Sequence, residues 1–121
     1  MAKILIIDDD SMTLIKLKAM FEQANHEVID INDAIHAMKA IAEHNPELVI
    51  TDIIMPEQEG IDTVMQIVEN YPDLPVVTMS GDQLGMNFLE LSKSLGASAT
   101  LQKPLNNFFK NPVSEMQTIW K

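Results

Sequence analysis

The chain contains no cysteine. That excludes a disulfide frame and any thiolate metal site. It also lacks any apolar run approaching the roughly 20 residues that a membrane span needs. Basic residues are scarce: 8 Lys and Arg stand against 18 Asp and Glu, for a formal charge of −10. Such a surface repels nucleic acid and anionic membranes, so neither is an expected partner, whereas a protein or a cation is. No linker, low-complexity run or internal repeat interrupts the chain. His26, His36 and His44 are widely spaced with no ligand pattern, and read as surface or packing residues. The opening "MAKILIIDDD" runs straight into a strand pattern with no signal-peptide architecture, which predicts a cytoplasmic protein.

What is present fits one domain spanning 1–121, with hydrophobic residues at 46% and enough length to bury a core. Short apolar runs alternate with helical stripes. "KILIID" (3–8), "EVIDI" (27–31), "LVITD" (48–52), "PVVTMS" (75–80) and the weaker "SATLQ" (98–102) read as strands. Leu14, Leu17 and Phe21 share one helical face, with Asp10 or Ser11 as N-cap. Ala34, Ala37, Met38 and Ile41 form a second stripe, which ends before Pro46. Pro56 suits the first turn of a third helix that would bury Ile61, Val64, Met65 and Val68. Leu84, Phe88, Leu91 and Leu95 form a fourth stripe, stopped by Gly96. Pro112 breaks the tail, so a last helix is expected over about 112–120 with Asn111 as cap. Strands alternating with helices predict an α/β fold, a doubly wound five-stranded parallel sheet in the order 2-1-3-4-5 with helices on both faces. Such sheets bind ligands at the carboxyl ends of strands 1 and 3, where the winding reverses.

The polar residues fall at that edge. Asp8, Asp9 and Asp10 end strand 1, Asp52 ends strand 3, Ser80 ends strand 4 and Lys103 ends strand 5. Each alone has an ordinary reading: Asp52 and Ser80 as helix caps, Lys103 as a surface lysine before a turn proline. Together they make a site. Carboxylates within ~5 Å of one another repel by about 3 kcal/mol per pair at an effective dielectric of ~20, and a divalent cation relieves that. Hard oxygen donors without His or Cys favour Mg²⁺, which often bridges to phosphate. Lys103 offers a charge for an anion and Ser80 a hydroxyl donor.

Four motifs in order, "IIDDD" (6–10), "TDIIMPEQEG" (51–60, with D-x-x-M-P-x-x-x-G spacing), "VVTMSG" (76–81) and "LQKP" (101–104), give the chain a family likeness. It resembles the receiver domain of two-component response regulators, of the single-domain chemotaxis type, over essentially its whole length. The resemblance implies a flavodoxin-like fold and a phosphoacceptor switch rather than a conventional enzyme. Asp52 would take a phosphoryl group from a sensor histidine kinase or phosphotransfer protein. Asp9 would bind Mg²⁺ directly and Asp8 through water, with Asp52 and the backbone carbonyl of Ile54 completing the protein ligands. Ser80 would hydrogen-bond the phosphoryl group and Lys103 would pair with it, the bond from Lys103 to Pro104 being expected cis. Phosphorylation would change binding to a downstream protein target.

The chain departs from the family pattern at four places, one of them the last helix, which "NNFFKN" (106–111) delays. Asn25 and Ile31 replace a usual glycine and a usual small residue, and Thr100 stands where the family has an aromatic. A short β-branched residue cannot sweep a large surface. Signal is therefore expected to pass mainly by displacement of the loop around Gly81 and Asp82 and of the fourth helix, or by a partner that reads the phosphorylated site edge directly. Few complementary charges lie on that helix, which predicts a monomer. Two other functions compete with this reading. A haloacid-dehalogenase-type hydrolase would want a second Asp where Ile54 stands, and a phosphorylation-independent interaction module would not need the full acid set. A receiver excised from a larger regulator is a further reading.

Overall fold

The computed structural model describes residues 2–53, 60–80 and 93–102. The fourth-helix residues Leu84, Phe88 and Leu91, Pro56 and the expected last helix lie outside them. The elements in order are β1 (Lys3–Ile7), α1 (Ser11–Gln23), β2 (Glu27–Ile31), α2 (Ala37–His44), β3 (Leu48–Asp52), α3 (Gly60–Asn70), β4 (Val76–Ser80) and β5 (Ala99–Gln102). All pairings are parallel, and the five strands lie in the order β2-β1-β3-β4-β5.

Burial explains why the central strands carry so little polarity. Every residue of β3 is buried, and so is all of β1 beyond Lys3. Apolar side chains therefore leave both sides of the sheet. On one side Ile4, Ile6, Leu48, Ile50, Val77 and Met79 meet Leu14, Leu17 and Phe21 of α1. On the other, Leu5, Ile7, Val49 and Val76 meet Ala37, Ala40 and Ile41 of α2 and Val64 and Ile67 of α3. At the sheet edge, β2 is only partly covered.

Chain reversals fall where the backbone requires them. Asn25 has φ of 69° and Asn45 φ of 51°, left-handed positions that asparagine tolerates better than most residues. Asn45 is thereby the C-cap of α2. Two expectations are corrected. α2 starts at Ala37, so Ala34 is buried in the preceding turn rather than in the helix; the Asp33 Oδ1 atom accepts from the backbone N–H of His36 at 3.1 Å and holds that turn closed. Met65 is 46% exposed, whereas Ile67 is fully buried. At about 100° per residue Met65 lies on the flank of the stripe centred on Val64, and Ile67 closes it.

Candidate functional site

The acids meet because β1 and β3 are neighbours. Ile7 pairs with Thr51, and continuing that register by one residue sets Asp8 beside Asp52. Asp8 extends the ladder past β1, its N–H donating to the carbonyl of Ile31 at 3.2 Å. Its Oδ1 accepts from the backbone N–H of Asp10 at 2.9 Å, a local turn that bends the chain into α1. Asp10 then caps that helix: Oδ1 accepts from the Met12 N–H at 3.1 Å, and Oδ2 from the Thr13 hydroxyl at 2.8 Å. Asp10 is occupied as a cap, as the sequence suggested, while Asp9 between them is exposed.

Carboxylate oxygens of Asp8, Asp9 and Asp52 lie within 4.8 Å of one another. Asp8 is fully buried and Asp52 is 6% exposed. Two buried carboxylates at that separation repel by about 3 kcal/mol at an effective dielectric of ~20. Three oxygen donors, with no nitrogen or sulfur among them, suit a hard divalent cation that retains water, so the residues present fit Mg²⁺. The exposed Asp9 leaves the group open to solvent on one side.

The peptide after Asp52 is tightly held. The Thr51 hydroxyl donates to the main-chain carbonyl of Asp52 at 3.0 Å, and the N–H of Ile53 donates to the carbonyl of Met79 at 3.0 Å. Ile53 itself is buried against Ile61, with Leu95 packed on the pair. Ser80 ends β4, opposite Gln102 at the end of β5. Thr100 pairs with Thr78 and is half-buried. Ile54, Asp82, Lys103 and Pro104 lie outside the described residues. Sequence reasoning overlooked Thr51 and Thr78. Their signal is a hydroxyl at an inner position of strands that are otherwise apolar up to their terminal Asp52 and Ser80, and both are fully buried.

The family model for the response regulator receiver domain matches residues 4–108. The DNA-binding transcriptional regulator NtrC of Rhizobium meliloti is 32% identical over 105 residues, covering 87% of this chain and 22% of that protein. The response regulator GraR of Staphylococcus epidermidis is 28% identical over 120 residues, covering 98% of this chain and 51% of that protein. The chain thus spans about half or less of the length of these relatives. The fold also matches the crystal structure of the chemotaxis protein CheY4 of Vibrio cholerae, with a TM-score of 0.85, 22% identity and 98% of each chain covered.

Proposed function

The chain belongs to the response regulator receiver domain family, and we propose on that premise that it is a phosphoacceptor switch in which Asp52 receives the phosphoryl group. The observation that carries the proposal is the grouping of Asp8, Asp9 and Asp52 within 4.8 Å at the carboxyl edge of the sheet. In this reading an oxygen of Asp52 forms a bond to phosphorus as the bond from phosphorus to the donor's histidine nitrogen breaks, and that nitrogen keeps the electron pair. The donor is a sensor histidine kinase or phosphotransfer protein.

Mg²⁺ bound at the acids would offset negative charge on the phosphoryl oxygens during transfer. Asp9 and the carbonyl of Ile54 are proposed as direct ligands beside Asp52, and Asp8 as a ligand through water. Asp8 is suited to that second place because Asp10 already occupies its Oδ1. Ser80 donates its hydroxyl to a phosphoryl oxygen, and Lys103, followed by Pro104, pairs with another. The phosphoryl group brings up to two negative charges and three acceptor oxygens. That change alters the surface seen by a downstream protein. Ile54 and Asp82 flank the site and set how readily water attacks the acyl phosphate.

We place the switch in the cytoplasm, as a single domain over 1–121 that stays monomeric. Among the described residues no helix is long and apolar enough to cross a membrane. Incubation with Mg²⁺ and acetyl phosphate, read by intact mass, tests the function. A stoichiometric phosphoryl adduct is expected. Steady turnover of a phosphate ester without an adduct would instead indicate a hydrolase.

A further inference from the structure

Beneath the acid site lies a polar layer that phosphoryl transfer does not itself require. Thr51 of β3 and Thr78 of β4 are fully buried. Thr51 pairs in register with Thr78, and Thr78 with Thr100 of β5. Register partners in a sheet share a face and sit ~4.8 Å apart. Three hydroxyl-bearing residues therefore form one row across three strands. Ile7 continues the row, which places it on the face covered by α2 and α3. Burying a hydroxyl is costly unless it is bonded, and valine would fill nearly the same volume without that demand.

Thr51 indicates what the row is for. Its hydroxyl holds the carbonyl of Asp52 at 3.0 Å, while β4 holds the other end of the same peptide through Ile53 N–H and Met79 O. That peptide sets the direction of the chain leaving Asp52. Met79 is the residue next to Thr78, so both grips on the peptide come from the row or its immediate neighbour.

We propose that Thr51, Thr78 and Thr100 are positioning residues, a hydroxyl row buried at Thr51 and Thr78 and half-buried at Thr100, that fixes the peptide after Asp52 and couples it across β4 to β5. The inference rests on the reading of Asp52 as phosphoacceptor. The register sets the three hydroxyl-bearing residues at neighbouring positions on one face, and each hydroxyl donates one proton while accepting at two lone pairs. A change in one acceptor is thus passed on by hydroxyl rotation, with no large side-chain movement. Thr100 gains a route to Asp52 that displacement of the loop around Gly81 does not provide. The row does with small groups what a β-branched residue cannot do by sweeping.

The test uses beryllofluoride with Mg²⁺ on the whole chain. Fluorine NMR reads binding at Asp52, and carbon-edited NMR reads the Thr100 methyl group. In the wild type the methyl resonance is expected to move on binding. Thr78→Val should still bind beryllofluoride but lose most of the Thr100 response. Thr51→Val should lose that response too and bind about three- to tenfold more weakly, the worth of one hydrogen bond, with Thr51→Ser restoring both. Either valine variant severs the row, so one that folds suffices. A full Thr100 response in a folded valine variant would overturn the proposal, whatever its melting temperature. Absence of beryllofluoride binding in the wild type would overturn the phosphoacceptor reading itself, a result distinct from a row that does not couple.

Discussion

The Oδ1 atom of Asp8 accepts the backbone N–H of Asp10 at 2.9 Å, so the first acid of the cluster is fixed by the residue that caps α1. Three consecutive aspartates thereby take three different places. Asp8 is buried in the turn, Asp9 projects into solvent and Asp10 closes the helix. Asp10→Ala should lower stability by about 1 kcal/mol, the usual cost of a lost N-cap, while leaving cation binding in place. Urea denaturation paired with Mg²⁺ titration checks both halves.

The same arrangement bears on the proposed Mg²⁺ site. Asp9→Ala should remove Mg²⁺ binding more completely than Asp8→Ala, because one oxygen of Asp8 is already engaged by Asp10. Calorimetric titration of the two variants would show the difference. Equal losses would mean that Asp8 is also a direct ligand.

His26 gives the fold a pH dependence away from the acids. Its Nδ1 accepts the backbone N–H of Ala2 at 2.9 Å, and its ring meets Phe21 edge-on with centroids 6.2 Å apart. Burial, the largest cause, holds its pKa below the ordinary histidine value, although Glu47 pulls the other way. The native state therefore binds this proton less readily than the unfolded chain. The contribution to stability is complete above the unfolded pKa of 6.5 and is lost as pH falls from there through the lower folded value. His26→Asn keeps an acceptor near Nδ1 and removes the titration. The gap in melting temperature between wild type and variant should change between pH 7 and pH 5 in the direction that penalises the wild type at low pH. A constant gap would contradict it.

Gly96 closes the approach to β5 with φ of 119°, and a Cβ built there would lie 2.9 Å from Cγ1 of Val68. Gly96→Ala should cost about 1–3 kcal/mol, from backbone strain together with displacement of Val68. A variant with an unchanged denaturation midpoint would show that α3 yields freely at that point.

Much of this architecture is legible in the sequence because parallel strands buried on both sides are written as unbroken apolar runs. The strand limits differ from expectation by a single residue at most, as at Lys3–Ile7 and Val76–Ser80. Asp8 and Asp52 stand out for the same reason: each ends such a run. Helix limits were harder to read. Ala34 keeps the helical spacing yet belongs to a turn, in which the N–H of Ala37 donates to the Ala34 carbonyl at 3.2 Å and the Asp33 carboxylate accepts from His36. Contacts that depend on register are not written locally. Nothing near Thr51 announces Thr78 or Thr100 as neighbours, and only the sheet order aligns them. His26 reads as an ordinary packing residue until the pairing of β1 with β2 brings Ala2 to its ring.

The central claim is that Asp52 carries the phosphoryl group. The most direct measurement is intact mass of wild type and Asp52→Asn after incubation with Mg²⁺ and acetyl phosphate, followed by peptide mapping. The wild type should gain about 80 Da, one phosphoryl group, on the peptide containing Asp52, and the variant should gain nothing. An adduct of equal yield on Asp52→Asn would contradict the assignment.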